Sequence, residues 1–377
     1  MFEREMNIRL FLYSRNDFLQ VYFDFLRELG MIISILFFFS LDTMHLTKNV
    51  LKIRAYFYVI FGALFAFSIA SFFIFNVNYG IDITGGSQTE YSYTSGNIDV
   101  AKISSEIQTL KEKVPEINTI NVYQVTWEKV FVVETGFQKW GDEKTLEKVK
   151  VQFRDDVNAT LAKHDGIEMA RYTNIGASFG EYIRNTAKLT LLIAIIGIAV
   201  YVAYAFSGAV GGIPSLSFGI ITVVTLFHDV LIAAGLYLMV SHFYPQYQID
   251  TFFVTALLTI LGFSINDTIV VFDRIRANLK LFWGKWKDLA QIINESVSEV
   301  FTRSLYTSFT VVMVLFAILI WWPTAIGGFT LTMLFGTIVG TFSSIFIASP
   351  LLYDMNKNKK LEVYKKKEYN PDDKIVV

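Results

Sequence analysis

Six stretches of this chain are each long and apolar enough to cross a lipid bilayer. A spanning helix needs about 20 mostly apolar residues, because the hydrocarbon core is about 30 Å thick and each residue rises about 1.5 Å. The stretches are Tyr56–Phe75, Leu189–Phe206, Leu216–Val240, Phe252–Phe272, Leu305–Trp322 and Phe329–Leu352. Of the 377 residues, 53% are hydrophobic and only 18% are charged. The sequence therefore predicts a polytopic α-helical membrane protein with six transmembrane helices.

The same composition excludes several classes of function. A net charge of -1 gives no overall field that would attract nucleic acid. The absence of cysteine excludes disulfides, thiolate catalysis and cysteine-ligated zinc. No GxxxxGK[ST] phosphate-binding loop occurs, so the energy for any motor function must come from an ion gradient or a partner. We expect neither enzymatic activity nor a bound cofactor.

Lysine and arginine in the short connections set the expected orientation. Basic residues cluster before the first stretch, between the fourth and fifth, and after the sixth, whereas the connections 241–250 and 323–328 carry none. This predicts that both termini lie in the cytoplasm. The expected parts are an N-terminal extension (1–54), the first transmembrane helix (55–76), an extracytoplasmic domain (77–186), a five-helix transmembrane domain (187–353) and a cytoplasmic basic tail (354–377).

The polar region 77–186 has the pattern of a small α+β domain. Short alternating runs predict strands, and apolar residues at helical spacing predict two amphipathic helices. The predicted strands are Ile81–Tyr93, Asn118–Thr126, Lys129–Thr135 and Ile167–Ile175, and the helices are Asp99–Val114, with Asp99 as N-cap, and Lys144–Lys163. The order βαββαβ is that of a ferredoxin-like fold. Without a metal cluster, triad or phosphate loop, we interpret the region as a binding or coupling module.

Two interpretations fit the first fifty residues. Leu29–Leu41 is apolar but only about half the length of a span. It can form an interfacial amphipathic helix. Alternatively, the segment lies upstream of the true start, because Met44 is followed by HLTKNVLKIR, a natural short cytoplasmic beginning.

Charged residues occur within or beside the predicted spans, where a central charge costs about 2.5–3.5 kcal/mol on insertion scales. They are Asp229, Asp267 and Arg303. Each belongs to a polar stripe at helical spacing. The stripes are Thr222, Thr225 and Asp229; Ser264, Asp267 and Arg274; and Arg303, Thr307 and Thr310. We expect the three stripes to bury against one another and Asp267 to pair with Arg303.

Such a pair has two interpretations. It can be a static ion pair that fixes helix register. It can also be a proton relay, because a protonated aspartate is neutral in the low-dielectric interior, whereas the ionised form needs a partner. His228, beside Asp229, is either a proton shuttle or a hydrogen-bonded spectator. Small residues recur every fourth position in the last span and predict close helix packing; they are Thr332, Gly336, Gly340, Ser344 and Ala348.

Several motifs together resemble one family. They are NYGIDITGG (78–86), FHDV (227–230), GFSINDTIVVFDRIR (262–276), FTRSLYTS (301–308) and GGFTLTMLFGTIVGTFSSIFIASPLL (327–352). In this order over most of residues 55–353, they resemble the SecD/SecF family of protein-export membrane proteins, in the resistance–nodulation–division transporter superfamily. The likeness is to its SecF members.

That resemblance implies a multi-pass subunit of the cytoplasmic (inner) membrane that works with SecD beside the SecYEG channel, in contact with secretory preproteins and membrane lipid. The pair would use the proton motive force to pull preproteins from the outer side. Asp267 and Arg303 match the proton path of the family, and Asp229 is a further candidate. The motif and hinge candidates are Gly80, Asp82, Gly85, Gly86 and Asn266. The coupling ion is a proton or sodium.

The chain also departs from the family pattern. Residues 1–44 have no counterpart in it, and the connection HFYPQYQ (242–248) is longer than usual. Two other functions therefore remain as alternatives: a small-solute or lipid exporter of the same superfamily, and a structural assembly factor without ion coupling. Six spans with one small outer domain favour a half-unit that needs a partner.

Overall fold

The computed structural model describes residues 49–75, 77–94, 100–125, 129–137, 143–164, 166–206, 213–282, 288–321 and 326–357. The N-terminal segment 1–48 and the tail 358–377 lie outside the described residues, as does Asp99. Both interpretations of the N-terminal segment and the predicted cap therefore stay predictions.

The described elements are one long apolar helix, then the strands and short helices of a small sheet domain, then the other long helices. In chain order they are α1 (Val50–Ile74), α2 (Ile81–Thr84), β1 (Gly86–Tyr93), α3 (Val100–Lys111), β2 (Ile117–Val125), β3 (Val130–Phe137), α4 (Glu143–Leu161), β4 (Ile167–Ile175), α5 (Ala177–Ala205), α6 (Ser215–Phe243), α7 (Thr251–Phe282), α8 (Leu289–Trp321), α9 (Gly327–Ser343), a π-helical segment (Ser344–Ala348) and α10 (Ser349–Asn356).

Among the described residues, six helices are long and apolar enough to span a membrane, in agreement with the predicted number. They are α1, α5, α6, α7, α8 and the continuous α9–α10 unit. Several extend well beyond their apolar runs, since α5 begins at Ala177 and α8 at Leu289. The extensions are the polar ends of the same helices, which hydropathy alone does not reveal.

Three of the six helices form the centre of the bundle. Half or more of the apolar window is buried in α6, α7 and the α9–α10 unit, against 17% or less in α1, α5 and α8. The core between the central helices is aliphatic and aromatic, with Ile221, Ile260 and Phe346 among its buried members. The outer helices leave most of their apolar surface exposed, as expected for contact with lipid or another subunit.

Small residues let α9 approach α7 closely. Gly336 lies against the side chain of Ile260, and a Cβ added to the glycine would overlap that side chain. A Cβ on Gly340 would lie 3.0 Å from Cβ of Ser264. The members of the predicted small-residue stripe are all buried. This is the packing role that the sequence predicts for them.

In the part of the chain that the structure describes, four strands form one antiparallel sheet in the order β2-β3-β1-β4. One face of the sheet packs against α3 and α4 in a second core, which contains Tyr91, Phe131, Ile107 and Phe153. Because side chains alternate along a strand, the other face presents the intervening residues, among them Glu134 of β3.

The first predicted strand is wrong at its beginning. Ile81–Thr84 forms the single-turn helix α2, and the strand starts only at Gly86. Gly85 has a positive φ of 75°, a conformation that separates the helical turn from the strand. The remaining predicted strands and helices of this region agree with the structure to within a few residues at each end.

Candidate intramembrane polar site

Asp267 lies where three helices meet. Its side chain projects from α7 and the residue is only 3% exposed. Ser308 Oγ of α8 donates a hydrogen bond to Asp267 Oδ2 at 3.3 Å. Thr341 of α9 approaches the same serine, with its Oγ1 2.6 Å from Ser308 Oγ. Asp267 is therefore connected to two neighbouring helices by a chain of hydroxyl groups.

Asp229 forms a second polar centre on α6 and is fully buried. Its Oδ2 accepts hydrogen bonds from Ser264 Oγ of α7 and from Ser343 Oγ of α9, each at 2.6 Å. Its Oδ1 lies 2.9 Å from Nδ1 of His228. Among the described residues, Asp229 therefore has three close polar neighbours, whereas Asp267 has one.

The imidazole of His228 packs against α1. Its ring centroid lies 5.6 Å from those of both Phe61 and Phe65, and the Phe65 ring is stacked on it. The His228–Asp229 contact thus joins α1 to the centre of the bundle. The role of His228 as a proton shuttle or a hydrogen-bonded spectator stays a prediction.

The predicted stripe on α6 faces inward, since Thr222, Thr225 and Asp229 are all buried. The stripe on α7 is right for Ser264 and Asp267 but wrong for Arg274. Arg274 is exposed and forms an ion pair with Glu299 of α8.

The predicted pair between Asp267 and Arg303 is wrong for this chain. Arg303 is exposed, as are Thr307 and Thr310, so the α8 stripe faces away from the centre. Ser304 and Ser308 occupy the inward face instead. Since a helix turns by about 100° per residue, the single step from 304 to 303 moves the side chain off the buried face.

Asn266 also lies on an outward face. It continues a stripe of small or polar exposed residues along α7, at helical spacing; the others are Thr255, Thr259 and Gly262. The hydroxyls of Thr255 and Thr259 donate to the carbonyls four residues earlier in the helix. Together with Arg303, Thr307 and Thr310 of α8, these residues give two membrane helices a polar outer surface, which we call the outer polar stripe.

The motif NYGIDITGG joins the sheet domain to the connection between α6 and α7. The Gly80 amide donates to the Ile249 carbonyl at 2.9 Å, and the Ile249 amide donates to the Asn78 carbonyl at 2.8 Å. A Cβ on Gly80 would lie 3.0 Å from Cβ of Asp250, so glycine permits this close approach. We call these contacts the domain joint.

Gly85 and Gly86 both need to be glycine for steric reasons. A Cβ on Gly85 would lie 2.7 Å from Cα of Ala177 at the start of α5, and one on Gly86 would lie 2.5 Å from the Thr135 carbonyl oxygen. Both residues also have positive φ, 75° and 152°. The two glycines therefore allow the backbone at residues 85–86 to pass close to both β3 and α5.

A buried carboxyl group extends the domain joint. Glu134 of β3 accepts hydrogen bonds from Tyr123 Oη at 2.8 Å and from Gln248 Nε2 in the α6–α7 connection. Burial raises the pKa of Glu134 to about 7, against the lowering effect of those hydrogen bonds. Burial likewise raises the pKa of Asp250 to about 6, with a smaller contribution from the nearby charge of Asp82.

Sequence reasoning missed several members of both sites. Ser308, Thr341 and Ser343 look like ordinary small residues of apolar helices. The sequence does contain a signal for Ser308. Phe301, Ser304 and Ser308 follow one another at helical spacing, which places Ser308 on the same face of α8 as an apolar residue. The Glu134–Gln248 contact joins residues far apart in sequence, and no local pattern indicates it.

Comparison with known proteins places the chain in a family. A family profile described as "Protein export membrane protein SecD/SecF, C-terminal" matches residues 156–358. The "Protein translocase subunit SecF" of Sebaldella termitidis is 34% identical over 312 residues, which cover 83% of this chain and 93% of that protein. The chain belongs to the SecD/SecF family. The Helicobacter pylori (strain 26695) protein of the same name is 31% identical over 301 residues, with 78% and 84% coverage.

Solved structures of the family share the fold. A crystal structure of SecDF, described as a translocon-associated membrane protein from Thermus thermophilus, superposes with a TM-score of 0.65 at 26% identity. The match covers 82% of this chain but only 38% of the SecDF chain. A second SecDF structure, in a super-membrane-facing form, gives a TM-score of 0.56 at 27% identity. This chain therefore corresponds to about two fifths of the solved SecDF chain.

Proposed function

We propose that this chain is the SecF-type subunit of a SecDF complex in the cytoplasmic membrane. In this role it assists Sec-dependent translocation and uses the proton motive force to pull preproteins out of the SecYEG channel. Family membership supports the assignment. The structural observation that carries the ion coupling is Asp267, a buried carboxyl group with a single hydroxyl donor and no ion pair among the described residues.

A carboxyl group in that position is suited to carry a proton. Its ionised form is costly in the membrane interior and has little local compensation, whereas its neutral form is tolerated. A proton that crosses the membrane releases about 2.3 kcal/mol per 100 mV. Loading and release at Asp267 would then favour different packings of α7, α8 and α9, which share its hydroxyl contacts. Asp229 is a further candidate in the same path.

The outer polar stripe supports SecD as the partner. Arg303, Asn266 and the neighbouring threonines lie on membrane helices, yet this chain leaves them exposed. Lipid offers the Asn266 amide no hydrogen bonds, and an arginine in lipid is costly, whereas the threonine hydroxyl groups already donate within their own helices. We infer that SecD covers this surface and that Arg303 acts in the proton path together with groups of that subunit.

The domain joint supports transmission to the outer side. The βαββαβ order and the strand order β2-β3-β1-β4 fit a ferredoxin-like domain between α1 and α5, which we place outside the membrane from the distribution of lysine and arginine. Gly80 and Gly86 bracket the segment that connects α1 to this sheet and contacts the α6–α7 connection. Movement of α6 and α7 would therefore reach the outer domain, where a preprotein would be handled.

The decisive experiment measures gradient-driven export. Membrane vesicles would contain this chain, SecD and SecYEG, with completion of preprotein export followed with and without an imposed proton or sodium gradient. Asp267→Asn should abolish the gradient-stimulated part and leave the basal part. Asp273→Asn makes the same charge change at an exposed position of the same helix and should behave as wild type. If Asp267→Asn keeps full gradient stimulation, ion coupling at Asp267 is wrong.

A further inference from the structure

The hydroxyl group of Thr341 has two acceptors but only one hydrogen. Its Oγ1 lies 2.6 Å from Ser308 Oγ and 2.7 Å from the carbonyl oxygen of Thr337 in its own helix. A hydroxyl group donates one hydrogen bond at a time and can accept others. Thr341 must therefore point its hydrogen either at Ser308 or at the Thr337 carbonyl.

Each orientation matches one charge state of Asp267. When Asp267 is ionised, Ser308 donates to it and accepts from Thr341. When Asp267 is protonated, its own O–H can donate to Ser308, Ser308 then donates to Thr341, and Thr341 donates to the Thr337 carbonyl. Every hydrogen in both arrangements has an acceptor, so neither state leaves a buried donor unsatisfied.

We propose that Ser308 and Thr341 form a reversible hydroxyl relay that positions Asp267 in both its charged and its neutral form. This inference rests on the proposed role of Asp267 as the ion carrier. The two hydroxyl groups only rotate, and no covalent bond to them forms or breaks. The proton that binds Asp267 comes from one aqueous phase and leaves to the other. Ser308 and Thr341 are thus positioning residues.

The relay is also tied to the second polar centre. Ser343, two residues beyond Thr341 on α9, donates to Asp229 of α6, and Ser264 of α7 donates to the same oxygen. These bonds fix α9 against α6 and α7 at the level of the relay. The titratable neighbours from α6 are thus Asp229 and His228, whereas Arg303 of α8 lies on the exposed face.

The chain supplies matched controls on the same two helices. Ser304 lies one turn before Ser308 on α8, and Thr337 lies one turn before Thr341 on α9. Both hydroxyl groups are buried, and neither has a hydrogen-bond partner. Substitution of Ser304 or Thr337 therefore removes a buried hydroxyl group of the same type. It leaves the relay intact, because the acceptor at Thr337 is the backbone carbonyl.

The experiment uses the full chain with SecD and SecYEG in vesicles, at matched protein levels. Gradient-stimulated preprotein export would be measured for Ser308→Ala and Thr341→Val, with Ser304→Ala and Thr337→Val as controls. The relay variants should lose about five- to tenfold of the gradient-stimulated rate, as expected when one buried hydrogen-bond partner is lost. The controls should stay within about twofold of wild type.

A second measurement separates positioning from packing. In Ser308→Ala, the pH profile of gradient-stimulated export should be displaced from that of the wild type. Ser308→Thr and Thr341→Ser keep the hydroxyl groups, so these variants should show the wild-type rate and the wild-type pH profile. Equal losses in the relay and control variants would overturn the inference. The inference would also be overturned if Ser308→Ala and Thr341→Val had normal rates and pH profiles while Asp267→Asn was inactive. In that case Asp267 would still be the ion carrier. Full activity of Asp267→Asn would overturn both proposals.

Discussion

The amide group of Gln248 donates a hydrogen bond to the carboxyl group of Glu134, and so links the α6–α7 connection to the third strand of the sheet. The backbone carbonyl of Gln248 also accepts a hydrogen bond from the Tyr237 hydroxyl of α6 at 2.7 Å. A single residue therefore contacts a membrane helix and the sheet domain. The strength of the domain joint should depend on the charge of Glu134.

We expect the domain joint to weaken as the pH rises. Burial raises the pKa of Glu134 to about 7, so the folded state binds this proton more tightly than the unfolded state does. Its stabilising effect is complete below about pH 4.5 and is lost as the pH rises through about 7, with a total of roughly 3 kcal/mol. Asp250, whose pKa is raised to about 6, acts with the same sign. The measurement is the protection of the Gly80 and Ile249 amides against hydrogen exchange, corrected for intrinsic rates. This protection should fall as the pH rises.

Glu134→Gln tests the assignment because it keeps the shape of the side chain and removes the titration. The variant should lose the pH dependence between about 6 and 7, whereas the part below about pH 6 that Asp250 contributes should remain. Glu112→Gln, at an exposed position outside the joint, should keep it. A wild-type protection profile that rises with pH over this range would contradict the prediction.

Gly85 should be intolerant of alanine. The substitution places a Cβ 2.7 Å from Cα of Ala177 and forces a non-glycine residue to a φ of 75°. We expect the apparent free energy of unfolding to fall by about 2–4 kcal/mol, from the strained backbone together with overpacking. Gly197→Ala in α5 is the control, because nothing lies within 4 Å of its added Cβ. Thermal unfolding of both purified variants provides the comparison, and equal melting temperatures would refute the prediction.

The membrane architecture could be predicted from the sequence to a large extent, whereas the site could be predicted only in part. Apolar length determines whether a helix can span the membrane, so all six helices follow from the sequence. Which face of a helix turns inward depends on its neighbours. The stripe of Asp229 is buried, but that of Arg303 faces outward because α8 packs through Ser304 and Ser308. A polar stripe can face its own bundle or another subunit, and one sequence does not distinguish these possibilities.

The close approach of α9 to α7 should show measurable coupling between two residues. Gly336→Ala introduces a Cβ that overlaps the Ile260 side chain, and we expect a loss of about 1–3 kcal/mol of stability from overpacking. Ile260→Ala alone should also destabilise, because it leaves a cavity in the core. In the double variant the added methyl group can occupy part of that cavity, so its loss should be smaller than the sum of the two single losses. Strictly additive losses in thermal unfolding would show that the two helices do not pack here as described.

The two intramembrane carboxyl groups should differ in their effect on stability. Asp229→Ala removes the partner of the Ser264 hydroxyl and of His228 Nδ1, whereas Ser343 can still donate to the Gly340 carbonyl at 3.2 Å. Asp267→Ala removes the partner of one group, at the longer distance of 3.3 Å. Since each buried group left unsatisfied costs about 1–3 kcal/mol, Asp229→Ala should lower the apparent free energy of unfolding by at least about 1 kcal/mol more. Unfolding of the purified chain in lipid nanodiscs measures both. A larger loss for Asp267→Ala would contradict this ranking and would assign the structural role to Asp267 instead.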